Sequence, residues 1–237
     1  MNKWIFDIDG TLTPSRGRID RRFEAFMLAT CERNDVYFAT GSDKEKTVEQ
    51  IGEELYDKAK LVFNCSGNDI YCGSENKYRN DWKPSDKLNT VMEKCLQKSK
   101  CPVKTGNHIE QRHGMVNFST VGRNATSEQR KEYAIFDNQN GERHLIAKII
   151  NKADRSISAQ VAGETGLDII PRGNDKGQII TYFNKDDTIH FYGDKMKLGG
   201  NDYPLANANA HGYNTEVKDW QDTYNRLLLA KAIGILK

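Results

Sequence analysis

Phe6-Asp7-Ile8-Asp9-Gly10-Thr11-Leu12-Thr13 is the stretch on which the reading of this chain turns. It follows the apolar run of residues 3–8, which reads as a buried strand with an acidic end. Asp7 and Asp9 are two apart, so in extended chain both carboxylates lie on one side. Gly10 permits a tight turn directly after them. A carboxylate can attack phosphorus and form an acyl phosphate. A neighbouring carboxyl can protonate the leaving oxygen and later deprotonate the incoming one. Two close carboxylates repel unless a cation lies between them, and Mg²⁺ prefers such oxygen ligands. A lone Asp-x-Asp is commonly only a solvated turn, so its weight depends on what the rest of the chain places around it.

Downstream of the turn, residues 20–33 place Phe23, Phe26, Met27 and Thr30/Cys31 on one helical face. Residues 36–39 read as a second strand, leading into Thr40-Gly41-Ser42-Asp43, a turn able to cap a helix over 44–58. Residues 61–63 read as a third strand. Strand, helix, strand, helix, strand predicts a parallel sheet with helices on its faces. Polar residues 72–84 then read as a linker. Residues 85–99 form an amphipathic helix, and residues 108–119 a β-hairpin with Gly114 in its turn. Thr126 and Gln129 have capping-box spacing ahead of a helix bearing Tyr133 and Phe136. A helix near 144–152 and a strand near 157–161 follow. The last stretch returns to the alternation of the first, with a short helix over 175–183, a strand over 188–192 ending in Gly193-Asp194, and a terminal helix over 219–235. The expected fold is α/β, a Rossmann-like parallel-sheet core from residues 1–77 and 174–237, with an α+β cap inserted at 78–173.

In open α/β sheets, ligands bind beyond the carboxyl ends of the strands. Asp7/Asp9, Thr40, Lys176 and Asp194 all fall at predicted strand ends or helix starts. Lys176 would neutralise a transferring phosphoryl group, Thr40 would donate a hydrogen bond to it, and Asp194 would offer a third carboxylate. Singly, each has a plain explanation: surface lysine, helix cap, turn residue.

Composition narrows the classes. The 237 residues hold 37% hydrophobic and 29% charged side chains, enough for a packed core. Lys+Arg number 35 against 33 Asp+Glu, and no basic run occurs, which argues against nucleic-acid binding. Five cysteines without a Cys-x-x-Cys pair indicate a reducing, cytoplasmic setting and no structural zinc. No apolar run approaches the ~20 residues of a membrane helix, and the opening residues do not read as a signal peptide. Sequons at Asn64, Asn117 and Asn124 carry no meaning in that compartment.

Residues 6–13 resemble the motif of haloacid dehalogenase superfamily phosphotransferases, and Asp7 to Arg16 resembles its eukaryotic-type phosphomannomutase branch. Three further stretches agree in order: residues 109–130, residues 167–176 ending in Asp175-Lys176, and residues 188–202 containing Gly193-Asp194. The resemblance spans nearly the whole chain. It implies a haloacid dehalogenase fold with Asp7 as the phosphorylated nucleophile, Asp9 as general acid/base, and Thr40 and Lys176 as its catalytic companions. It puts Mg²⁺ on Asp7, the backbone carbonyl of Asp9 and Asp194, with Asp202 supporting the metal loop. It assigns phosphosugar binding to Arg16, Arg112, Arg123 and Arg130, and contact with sugar hydroxyls to Asp168. The implied reaction interconverts mannose 6-phosphate and mannose 1-phosphate through a hexose 1,6-bisphosphate activator, supplying GDP-mannose synthesis. Arginine suits a second phosphate subsite because its planar fork binds phosphate bidentately. Three such residues on a cap would close the site and keep water from the aspartyl-phosphate.

The chain departs from the family pattern at several positions. Gly166 stands where a substrate-touching serine is usual, with Thr165 adjacent. Ala208 and His211 replace residues that help bind a second cation, and Arg172 replaces an acidic residue. The chain lacks a segment before the first strand and is shorter between Asn68 and Gly106. The alternatives are a Mg²⁺-dependent sugar-phosphate phosphatase with the same centre, or a non-catalytic phospho-ligand binding module. A homodimer through the cap is a further implication of the resemblance; no nucleic acid or membrane partner is expected.

Overall fold

The computed structural model describes residues Met1–Lys237. In chain order the elements begin with β1 (Asn2–Phe6), α1 (Arg21–Arg33), β2 (Asp35–Ala39), α2 (Lys44–Ile51), α3 (Glu53–Lys58), β3 (Leu61–Asn64), β4 (Asp69–Cys72) and β5 (Glu75–Arg79). They continue with α4 (Asp86–Lys98), β6 (Ile109–Arg112), β7 (Met115–Phe118), α5 (Ser127–Asn140), α6 (Glu142–Ala153), β8 (Ile157–Ala162) and β9 (Gly166–Pro171). The last are β10 (Thr188–Gly193), α7 (Tyr203–Ala208), β11 (Tyr213–Glu216) and α8 (Trp220–Ala232). The chain divides into a core unit (Met1–Asn80, Asn174–Leu198, Asp202–Lys237) and a second unit (Asp81–Gly173, with Gly199–Asn201).

The core unit is a seven-stranded sheet ordered β11-β10-β1-β2-β3-β4-β5. It is parallel from β11 to β3 and antiparallel beyond. Alternation along β1 sends Trp4 and Phe6 to one face, with Phe23 and Met27 of α1 and Leu227 of α8. Ile5 goes to the other face, with Ala39, Phe63, Ile179, Phe191 and Leu205. Both faces are covered, so the central strands are almost wholly apolar. From β1 the chain winds outward through β2 and β3, then returns to place β10 on β1's other side. The order therefore reverses between β1 and β10, which is where ligands bind in such sheets.

The second unit is an antiparallel sheet ordered β6-β7-β9-β8. Val116, Phe118, Leu167 and Ile169 pack there against Leu88 and Met92 of α4 and Ile146 and Ile150 of α6. The Thr126/Gln129 capping box forms as its spacing predicts. No helix of either unit is long and apolar enough to cross a membrane.

Four expectations need correction. The helix over 44–58 is two, broken at Gly52, whose φ of +82° a helix cannot contain. The polar stretch 72–84 is not simply a linker: β5, exposed at every residue, closes the sheet edge there. The expected boundary at 77/78 falls inside that strand. The segment over 175–183 is a 3₁₀ helix, Lys176–Tyr182, capped by Asp175. The strands β4, β9 and β11 and the helix α7 had no separate reading.

Candidate active site

Asp7 follows β1 and Asp194 follows β10. Phe6 pairs with Tyr192, and the ladder runs one step further, Asp7 N donating to Tyr192 O at 2.9 Å. Parallel register thus delivers both acids to the switch point. Asp202, the residue before α7, joins them: one oxygen from each of the three lies within 4.8 Å of the others. Lys176 opens the 3₁₀ segment and is 1% exposed. Its Nζ donates to Asp7 Oδ1 at 2.7 Å and to Asp202 Oδ1 at 2.6 Å.

Two glycines make room for these acids. Gly10 has φ +82°, and a Cβ there would lie 2.5 Å from Asp194 Oδ2. A Cβ on Gly193 would lie 2.6 Å from Asp202 Oδ2. Asp202 also accepts from Lys195 N at 3.1 Å, which ties the loop after β10 to the lysine.

The electrostatics favour a cation. Burial pushes the Asp7 carboxyl well above its usual range; Asp202 and Asp194 add to this and Lys176 opposes it. Burial alone would lower Lys176, but Asp202 and Asp7 outweigh it and its pKa rises. Burial likewise raises Asp194, against the pull of Lys195. Three carboxylates face one buried ammonium. Asp194 Oδ1 is buried without a partner. An all-oxygen donor set with an orphaned carboxylate oxygen fits a hard divalent cation.

Asp9 does not share this cluster through its side chain. Its Oδ1 accepts from Arg16 N at 2.6 Å and from Gln50 Nε2 at 3.0 Å, leaving Oδ2 as the second oxygen. Gln50 lies on α2, and no spacing in the sequence points to it. Arg16 adopts φ +59° in the same turn. Thr40 does not cap α2; Asp43 does. Thr40 Oγ1 instead accepts from Ser42 N at 3.0 Å, so its hydroxyl proton is turned elsewhere. Thr11 Oγ1 donates to Asp7 Oδ2 at 3.4 Å.

The second unit gathers arginines. Arg112 ends β6, Arg123 follows β7, and Arg130 lies in the first turns of α5. Glu110 Oε2 accepts from Arg112 Nε at 2.9 Å and pairs with Arg123 Nε at 3.2 Å. Arg130 pairs loosely with Glu164, Nε to Oε2 at 3.7 Å. It is 6% exposed, and its Nε and Nη1 lack hydrogen-bond partners. Burial and the neighbouring Arg123 hold its pKa below the usual arginine value. Arg130 thus keeps buried guanidinium donors that an anion would satisfy. Glu110 and Glu164 escaped the sequence reading, because which acid meets which arginine is a matter of hairpin register and loop path. Asp168 on β9 accepts from Asn117 Nδ2 at 2.7 Å. Gly166 opens β9 as a bare position, and the adjacent Thr165 Oγ1 is buried without a partner. In the core unit, Ala208 ends α7 and His211 lies in the exposed turn after it.

The switch-point acids on this sheet, interrupted by an inserted α+β unit, define a haloacid dehalogenase-type fold. A haloacid dehalogenase-like hydrolase of Bacteroides thetaiotaomicron shares it at TM-score 0.62 and 15% identity, over 97% of this chain and 99% of that one. The eukaryotic phosphomannomutase family model matches residues 23–231, so the chain belongs to that family. The match begins after the Asp7–Asp9 turn, which therefore stands as separate support. The phosphomannomutase of Saccharomyces cerevisiae is 31% identical over 85% of this chain and 83% of its own. A probable phosphomannomutase of Caenorhabditis elegans is 32% identical over 85% and 84%.

Proposed function

We propose that this enzyme interconverts mannose 6-phosphate and mannose 1-phosphate through an aspartyl-phosphate on Asp7, primed by a hexose 1,6-bisphosphate. The observation that carries this reading is a cluster of three arginines, among which Arg130 is buried with two nitrogens lacking partners, distinct in kind from the carboxylate–lysine centre. A phosphatase needs one phosphate site. A mutase passing through a bisphosphate needs two.

An Asp7 oxygen attacks one phosphorus of the hexose 1,6-bisphosphate and the phosphorus–oxygen bond to the sugar breaks, leaving a hexose monophosphate. Asp9 Oδ2 gives its proton to the departing sugar oxygen. In the second half, Asp9 Oδ2 takes a proton from the free hydroxyl of the other hexose monophosphate as that oxygen attacks phospho-Asp7, which re-forms the bisphosphate. Asp9 can do this because Arg16 N and Gln50 hold its Oδ1 and orient the carboxyl. Lys176 offsets charge on the transferring oxygens, and Thr40 donates a hydrogen bond to them. Asp7, Asp194 and the Asp9 carbonyl are the groups that would hold Mg²⁺, with Asp202 supporting the loop; the ion would supply charge neutralisation. Arg112, Arg123 and Arg130 bind the phosphate that is not reacting, with Arg16 as a further contact, and Asp168 accepts from sugar hydroxyls. Five free cysteines support a reducing cytoplasm, and the relatives' activity supports a role in supplying activated mannose.

Phosphorus NMR of mannose 1-phosphate with enzyme and Mg²⁺, with and without glucose 1,6-bisphosphate, tests this. Isomer forming in excess of free phosphate, and faster with the bisphosphate, is the expected result. Free phosphate alone would sink the mutase reading in favour of a phosphatase.

A further inference from the structure

Asn117 lies on β7 between Val116 and Phe118, both packed into the unit's core. Strand alternation turns it to the opposite face, where it pairs across the sheet with Asp168. It is 5% exposed. Chemistry orients its amide. The bond to Asp168 Oδ1 must come from Nδ2, because an ionised carboxylate only accepts. Asn117 Oδ1 is then a buried acceptor, and it has no partner. Buried side-chain acceptors are nearly always satisfied, so an orphan needs an explanation.

Gly166 accounts for its position. It lies two residues before Asp168 on the same face of β9. A Cβ there would lie 2.9 Å from Asn117 Nδ2 and 3.3 Å from Oδ1. The amide occupies space that any other residue would claim. Asp168 and Asn117 thus present two acceptors side by side. Such a pair recognises a ligand bearing neighbouring hydroxyl donors and disfavours one bearing an acceptor at either place.

We infer that Asn117 is a specificity-determining residue: its Oδ1 accepts from one hydroxyl of the hexose phosphate, beside the hydroxyl that Asp168 accepts. This rests on the phosphosugar reading above for the class of ligand; Asn117 itself is chosen by its orphaned oxygen and by the bare Gly166.

Calorimetric titration of the full chain with mannose 1-phosphate and its 2-, 3- and 4-deoxy analogues tests it. Wild type should bind one analogue about tenfold more weakly than the parent through loss of this bond. In Asn117→Ala that penalty should vanish, while penalties for the other analogues persist. A merely supporting role, with Asn117 only holding Asp168, would weaken parent and analogues by one common factor, and that result overturns the proposal. Gly166→Ala, which displaces the amide without removing it, should show the same selective loss. It decides the matter alone if Asn117→Ala does not melt cooperatively. Wild type that binds none of these sugars overturns the phosphosugar reading itself, a result distinct from a uniform loss in the variants.

Discussion

In the core unit the proposed nucleophile and acid/base have protein partners and Asp194 Oδ1 is the carboxylate oxygen left open, whereas in the second unit the open atoms belong to the groups proposed to hold the ligand. Lys176 bridges Asp7 and Asp202 at 2.6–2.7 Å, and Asp9 is held by two donors. Arg130 keeps two buried nitrogens without partners, and Thr165 and Asn117 each keep an orphaned oxygen. The difference matches the demands of the proposed chemistry. A nucleophile must be poised before substrate arrives, since electrostatic preorganisation lowers the barrier only if it is already in place. A site that grips the unreacting end gains by leaving polar atoms for the ligand to complete. In this reading the core unit is built for the reaction and the second unit for recognition.

That contrast can be tested residue by residue. Asp7→Asn should lower turnover by about a thousandfold or more in a steady-state assay, because it removes the carboxylate proposed to form the acyl phosphate while the other acids have different proposed roles. Unchanged turnover means that the nucleophile is misassigned. Lys176→Met should destabilise the core by about 3–5 kcal/mol in urea unfolding, since it strands two buried carboxylates. A loss below about 1 kcal/mol would show that Lys176 does not hold the two carboxylates in place. Arg130→Ala should weaken binding of mannose 1-phosphate about a hundredfold and shift product from isomer towards free phosphate. An unaltered product ratio would remove the second unit from recognition. Gly10→Ala should cost about 1–2 kcal/mol from its positive φ and cut turnover about tenfold by pressing on Asp194.

The smallest effect concerns pH. The hydrogen bond from Lys3 Nζ, 2.7 Å long, outweighs burial and holds Asp35 below the usual carboxylate range. A depressed folded pKa contributes stability above the unfolded value of about 3.9, lost as pH falls through the folded one. Asp35→Asn should therefore lower stability near neutrality by less than about 1 kcal/mol, Asp35 being partly solvated. The gap from wild type should close as the solution is acidified from about pH 5. A gap that widens on acidification reverses the sign and refutes the assignment.

Much of this was legible in the chain. Periodicity located β1, α1, β2 and α4 within a residue or two, because each buries one regular face. Thr126 announced its helix start by its spacing to Gln129, and the ranges opening at Asp20 and Ser85 begin on the residues that cap α1 and α4, since a short polar side chain there satisfies free amides locally. Polar β5 hid its strand nature because an exposed edge needs no apolar face. Gly52 hid the helix break because glycine is tolerated within helices and its φ is not written in the composition. Asp7, Asp9, Asp194 and Lys176 could be named because strand ends and helix starts follow from local pattern.

The chemistry available was written in the chain alone: acids after β1 and β10, a lysine at a helix start, and a set of arginines. These depend on residue type and on periodicities that a few neighbours establish. Which of them meet is a property of the folded molecule. Asp202 reaches Lys176 across 26 residues and Asp7 reaches it across 169. Gln50 orients Asp9, Glu110 joins Arg112 to Arg123, and Asn117 settles into the space that Gly166 leaves. Such pairings follow from sheet order and register, which long-range packing sets and no local window contains.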